Sequence, residues 1–150
     1  MATDISNLWP LDAIHVDVRT PRDILLMQTG QLQQATKGLL ESQVHTTEAK
    51  EGVSHRFDII APALGNYRHS VMTVKHSRDM PYPTTISSIA DTLSERMSTD
   101  INRQYTEEDF IERVREILGS VQVVAVIQSL LARIQSAKSA SVADAPSEEQ

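Results

Sequence analysis

The N-terminal part of the chain alternates hydrophobic and polar residues, first with the period of a strand and then with that of a helix. Residues 13–18 alternate for three cycles, which predicts a short, half-buried strand. Thr20 and Pro21 then form a helix start, because threonine caps a helix and proline fits its first position. Leucines recur at seven-residue spacing up to Leu39, so we expect a long N-terminal helix that ends near Ser42.

The clearest strand pattern covers residues 53–76, after a polar segment at residues 45–52 that predicts a connecting loop. Gly65 and Asn66 are typical of a two-residue hairpin turn, and a longer loop over residues 62–66 is the alternative. With the short turn, one strand face becomes apolar. It pairs Phe57 with Val74, Ile59 with Met72, and Ala61 with Ser70.

The C-terminal half predicts one more strand and several helices. Residues 84–87 favour a third strand, and apolar residues at four-residue spacing from Ile89 to Ile101 predict a helix. Thr106 and Asp109 resemble a capping box, which opens the next helix. A final helix follows a break at Gly119 and is apolar on two sides, which indicates burial in the core or against another chain. The candidate interface residues on it are Val123, Ile127, Leu130 and Ile134.

Together these patterns predict an α+β fold. Its parts are a long N-terminal helix, a small antiparallel sheet built on a β-hairpin, and two C-terminal helices packed on one sheet face. Residues 1–136 would form a single domain, since a chain of this length buries enough surface for one core. Residues 137–150 are rich in serine, alanine and acidic residues without a period, and predict a disordered tail.

Composition narrows the class of protein. The chain has no cysteine, which excludes disulfides and thiolate metal sites, and no apolar run of the roughly 20 residues that a membrane span needs. Residues 1–7 lack the layout of a signal peptide, so we expect a cytoplasmic protein that does not associate with membranes. The formal net charge of −6 argues against broad nucleic-acid binding.

Residues 53–80 are the one segment with a positive net charge, +2. The candidates for binding on this basic hairpin are Arg56, Arg68, His69, Lys75 and Arg78. They could contact phosphates of a nucleic acid from a β-ribbon. The favoured alternative is a charged sheet face that keeps an edge from aggregating.

Metal and catalytic chemistry have little support. The predicted register sets His55 opposite His76. Two ligands do not make a zinc site, because zinc needs at least three from the protein. We therefore expect a structural role for these two rings and no bound metal. A metal-dependent hydrolase built from Asp17, Asp58 and the histidines lacks a second acid, because Thr73 stands where one is needed. No glycine-rich phosphate loop or nucleophile elbow is present, so we expect no cofactor.

These absences favour a non-enzymatic function. The leading hypothesis is a small protein-interaction module, such as a regulator, adaptor, chaperone-like protein or inhibitor, that acts through an apolar helix surface and the sheet edge. Its partner would be another protein or a second copy of the chain in a homodimer. A nucleic-acid-associated protein that uses the basic hairpin is the alternative, and a metal-dependent hydrolase is less favoured.

Overall fold

The computed structural model of the protein describes residues 8–14, 16–91 and 102–144, with side chains as far as Ser139. In these ranges three α-helices and one five-stranded antiparallel sheet form an α+β fold. The helices are α1 (Pro21–Ala35), α2 (Glu107–Leu118) and α3 (Val121–Asp144). The strands are β1 (Glu41–Ala49), β2 (Gly52–Ala61), β3 (Tyr67–His76), β4 (Thr84–Ser88) and β5 (Arg103–Gln104), and they lie in the sheet in chain order.

Helix α1 begins where the sequence predicts and ends earlier. The Thr20 hydroxyl accepts a hydrogen bond from the backbone N–H of Asp23 at 3.2 Å, which caps the first turn. Gly38 has a positive φ of 83°, and its N–H donates to the carbonyl of Gln33 at 2.8 Å. This left-handed closure ends the helix, so the predicted continuation to Ser42 is wrong.

Two predictions for the region around α1 are wrong. The predicted strand at residues 13–18 is absent from the described residues, because the chain forms a single 3-10 turn at Leu11–Ala13 and then an irregular segment. The predicted loop at residues 45–52 is instead the second half of β1 with its turn into β2. Strand β1 lies at the sheet edge, and its residues from His45 onward are exposed on both faces. A strand that is exposed on both faces has no alternation of hydrophobic and polar residues, so the hydrophobic pattern could not predict this part of β1.

The hairpin of β2 and β3 is present, but its turn is the longer alternative. Residues 62–64 form a 3-10 turn, and Gly65 and Asn66 both have positive φ values, 71° and 59°. The five-residue loop over residues 62–66 is therefore confirmed, and the two-residue turn is wrong. Proline at the start of this loop fits its fixed φ to the 3-10 turn.

The register of this hairpin differs from the predicted one by two residues in its first half. Phe57 pairs with Met72 rather than with Val74. A shift of two keeps these side chains on their predicted face, because the side-chain period of a strand is two. The register then changes between Phe57 and Asp58, which leaves Val71 without an opposite residue as a β-bulge. Beyond the bulge the predicted pairs are wrong, because Ile59 pairs with His69 rather than Met72, and Ala61 pairs with Tyr67 rather than Ser70.

Local signals in the C-terminal half are confirmed. Strand β4 contains the predicted residues 84–87, and the Thr106 hydroxyl accepts the predicted hydrogen bond from the N–H of Asp109, at 3.1 Å. The helix predicted from residue 89 to residue 101 lies largely outside the described residues. Helix α3 continues to Asp144, into the segment predicted as a disordered tail, whereas residues 145–150 are outside the described ranges.

The helices cover one face of the sheet and form a single core with it. Phe110, on α2, and Leu25, on α1, are fully buried in this core. The other core residues are Ile24, Leu40, Phe57, Ile59, Ala61, Val71, Met72, Val74, Ile86, Val114, Ile117, Val123, Leu130 and Ile134. We call the helix-bearing side the covered face and the opposite, polar side the open face.

Candidate functional site

One row of side chains crosses all five strands at one end of the open face. The row consists of Thr47, Ser54, Lys75, Thr85 and Arg103, each the register partner of the next. Register partners point to the same side of a sheet, so these five side chains share one face. A cavity of about 650 Å³ lies at this row. Its remaining lining residues are Ala49, Glu51, Gly52, Val53, His76, Ser77 and Pro83.

The side chains around this cavity carry more positive than negative charge. Lys75 and Arg103 are exposed, and within the described ranges neither forms an ion pair. The Arg103 guanidinium lies 6.0 Å from the centre of the Tyr105 ring, a weak cation–π contact. Glu51 supplies the one carboxylate among the lining residues. The cavity therefore holds two fixed positive charges against one negative charge.

Gly52 allows the strands to approach each other at the floor of the cavity. Its φ is 153°, and a Cβ at this position would lie 2.6 Å from the carbonyl oxygen of His76. Both the backbone angle and the contact exclude a larger residue without a shift of β2 or β3.

A pair of histidines lies on the covered face, at the same end of the sheet as the cavity. The Nε2 atoms of His55 and His76 are 2.8 Å apart, and the rings stack with centroids at 5.0 Å. The Thr46 hydroxyl lies 2.9 Å from Nδ1 of His55, and Nδ1 of His76 lies 2.7 Å from the carbonyl oxygen of Ser77. The sequence predicts that the two rings meet directly across the strands. In the structure His55 pairs with Val74, and the rings meet as diagonal neighbours.

The partners of the histidine pair determine its tautomers when both rings are neutral. The Ser77 carbonyl only accepts, so His76 carries its proton on Nδ1 and its Nε2 accepts from His55. His55 then carries its proton on Nε2, and its Nδ1 accepts from the Thr46 hydroxyl. Burial first, then His76 and Arg22, lower the pKa of His55 from 6.5 to about 4. All four ring nitrogens are thus occupied, which leaves neither ring free as a general base.

Asp58 binds two of the candidate arginines. Its buried carboxylate accepts from Nε of Arg56 at 3.0 Å and from a terminal nitrogen of Arg68, also at 3.0 Å. Arg68 donates further to the side-chain oxygen of Gln43 at 3.1 Å. The charges of these two arginines are therefore partly neutralised within the open face, away from the cavity.

The basic candidates do not form one surface. Lys75 lines the cavity, whereas His69 stacks on Tyr67 with ring centroids 6.5 Å apart and lies beside α3. Arg78 is exposed in the loop between β3 and β4. The sequence did not reveal Arg103, because strand β5 is two residues long and its neighbour β4 is distant along the chain.

The candidate interface residues on α3 lie toward the protein's own core. Val123, Leu130 and Ile134 are buried, and Ile127 is half-buried. The more exposed apolar residues of this helix are Val121, 82% exposed, and Val124, 39% exposed.

Among the described residues, the histidines and acids of the hydrolase hypothesis do not come together. Within the described ranges no three His, Asp or Glu side chains come close enough to hold a metal ion. Asp58 is engaged by the two arginines, and His55 by Thr46 and His76.

Residues 8–18, with His15 outside the described residues, form an apolar N-terminal arm that precedes α1. Its exposed large side chains are Leu8, Trp9, Leu11, Ile14, Val16 and Val18. Arg19 fixes its base: the backbone N–H and Nε donate to the Glu107 carboxylate at 2.9 and 2.8 Å, and the Tyr82 hydroxyl donates to the Arg19 carbonyl at 2.8 Å. The two hydrogen bonds from Arg19 hold the pKa of Glu107 below its usual value, and burial raises the pKa of Tyr82.

The chain matches no protein-family model, no curated protein and no solved structure. Within the described ranges, no single helix has the length and apolar character to cross a membrane. Helices α2 and α3 meet that criterion only as a pair, and the pair is bent by 48°. Several residues of this pair, Phe110 among them, are buried within the protein.

Proposed function

We propose that the chain is a non-enzymatic protein-interaction module that binds its partner through the N-terminal arm. The observation that carries the proposal is the exposure of six large apolar side chains within the arm, from Val18 at 46% to Val16 at 96%. Burying one such side chain stabilises a complex by about 1.5–3 kcal/mol. Large apolar side chains exposed together in one segment are typical of interaction sites.

The anchored base of the arm supports this function. Arg19 is tied to Glu107 and Tyr82, so the arm leaves the body of the protein at a defined point. An arm that is held at one end loses less conformational freedom on binding than a free peptide does. Trp9, 74% exposed, is the residue type that most often dominates a protein interface.

The sheet edge offers a second contact to the same partner. Strand β1 has β2 on one side, and on its other side no described strand pairs with it. A partner strand could add to this edge by main-chain hydrogen bonds. Glu41 and Glu48 at its two ends would limit indiscriminate pairing. On α3 the apolar surface expected from the sequence consists, among the described side chains, mainly of Val121 and Val124, so the arm takes its place in the proposal.

Nucleic-acid binding by the basic hairpin has weaker support. Arg56 and Arg68 share the carboxylate of Asp58, and His69 lies beside α3 rather than on the open face. A long phosphate backbone needs a continuous set of free cations, which this arrangement does not offer.

The test compares partner capture by three forms of the protein in the cells from which it comes. The triple variant Leu11→Ser, Ile14→Ser, Val16→Ser should lose its partner, because those side chains are exposed and contribute little to folding. The matched control, Val121→Ser, removes an exposed apolar residue outside the arm and should retain it. Light scattering on the same forms shows whether the partner is a second copy. A monomer whose captured proteins are the same in all three forms would contradict the proposal.

A further inference from the structure

We propose that the cavity at the end of the open face binds a small phosphate-bearing molecule of about mononucleotide size. The proposal is independent of the interaction function, since none of the residues that line the cavity belongs to the N-terminal arm. Its volume of about 650 Å³ falls within the usual range of small-ligand sites, about 300–1,000 Å³.

The charge pattern selects an anion. Lys75 and Arg103 are the cations of the row, and within the described ranges no carboxylate pairs with them. By contrast, Arg56 and Arg68, on the same face, are both bound to Asp58. Free positive charge on the open face is thus concentrated at the cavity. A cation pair without a carboxylate partner gains most when a phosphate supplies the missing acceptors.

The spacing of the row suits one phosphate group. Lys75 and Arg103 lie on β3 and β5, on either side of Thr85 in β4. Neighbouring strands are about 4.8 Å apart, so the two backbones lie about 10 Å from each other. Two long side chains can converge from that distance on a group held above Thr85, whose hydroxyl can donate a third hydrogen bond.

The remaining lining residues suit the uncharged part of such a ligand. Thr47 and Ser54 continue the row with hydroxyl groups, which donate to or accept from a sugar. Glu51, at the turn between β1 and β2, can accept hydrogen bonds from ligand hydroxyls. The His76 side chain points to the opposite face of β3 from Lys75, and both its ring nitrogens are already engaged, so it offers the ligand no donor. One carboxylate against two cations disfavours ligands without negative charge.

Calorimetric titration of the full-length protein with inorganic phosphate, pyrophosphate and adenosine monophosphate tests the proposal. Lys75→Gln and Arg103→Gln should each weaken binding by about tenfold or more, the usual loss of one charge-assisted hydrogen bond. The control Lys138→Gln removes the same charge from an exposed position on α3 and should change affinity less than about twofold. Amide chemical shifts on titration should change most at Thr85 and its row neighbours.

Three results would overturn the proposal. The first is no binding of any of these probes at concentrations up to about 10 mM, beyond which affinity is negligible. The second is equal weakening by Lys138→Gln, which would indicate a nonspecific response to net charge. The third is binding of a single-stranded oligonucleotide of about 12 nucleotides without binding of the mononucleotide, which would assign the surface to nucleic acid instead. Circular dichroism of each variant checks that folding is intact.

Discussion

The two faces of the sheet are made from the same strands but differ in burial and polarity. On the covered face Phe57, Met72 and Val74 are buried under the helices, and the His55 ring lies among them with its nitrogens satisfied. On the open face most side chains are polar, and Lys75 reaches solvent. Burial of apolar area supplies most of the free energy of folding, so the covered face determines stability. The open face is then free to bind a ligand.

The largest effect that this comparison predicts is on the covered face. Phe110→Ala should lower the free energy of unfolding by about 3–5 kcal/mol, because a fully buried ring leaves a cavity among helices and sheet. Urea unfolding monitored by circular dichroism measures the loss. Tyr105→Ala, at a ring that is 57% exposed, is the control and should cost far less. Equal losses in both variants would remove the distinction between the faces.

Acid should destabilise the covered face through His55. Its pKa is about 4 in the folded protein and 6.5 when unfolded, so the unfolded state binds more protons between these values. The stability that the neutral ring contributes is complete above pH 6.5 and falls by up to about 3 kcal/mol as the pH drops to 4. His55→Gln should lose this part of the pH dependence, measured by urea unfolding at a series of pH values. His45→Gln, on exposed β1, should retain it. Parallel curves for wild type and His55→Gln would contradict the assignment.

Asp58 is the exception on the open face, because it is a fully buried charge there. Asp58→Asn should cost about 1–3 kcal/mol, since two arginines lose a charged acceptor but remain close enough to water to be rehydrated. Thermal and urea unfolding give the value, and Asp79→Asn in the exposed loop before β4 is the matched control. If the two substitutions had the same effect, the arginine pair would contribute nothing to stability.

The smallest expected effect on folding is at the cavity. Lys75→Gln should change the free energy of unfolding by less than about 0.5 kcal/mol, as is usual for an exposed position without a partner. The same substitution is expected to weaken ligand binding, so stability and affinity should separate at this residue. Differential scanning calorimetry of the two proteins without ligand measures this change in stability. Destabilisation comparable to that of Asp58→Asn would show that Lys75 has a structural role.

Local chemistry explains what could be predicted from the sequence. The caps at Thr20 and Thr106 depend on residues a few positions away, and both form the expected hydrogen bonds. The end of α1 was harder to predict, because Gly38 can either weaken a helix or close it, and only tertiary contacts decide between the two. The exposed part of β1 has no alternation of hydrophobic and polar residues, so the hydrophobic pattern did not indicate its pairing with β2.

The candidate site was predicted only in part, and for a physical reason. His55 and His76 come together because a register displaced by two residues still leaves both rings on one face. Lys75 was identified from its charge. Its counterpart Arg103 comes from another part of the chain, and their proximity depends on the order of β3, β4 and β5 in the sheet. No spacing in the sequence encodes that order.

Gly52 has a consequence for the recognition of related chains. A side chain at this position would collide with the His76 carbonyl, and the histidine pair closes the same end of the hairpin. We therefore expect a chain that shares this arrangement to contain the segment Gly-x-x-His, followed 21 residues later by a second histidine. The interval between the two histidines holds only where the two strands and the loop at residues 62–66 keep their lengths. It is a criterion by which distant relatives can be recognised from sequence alone.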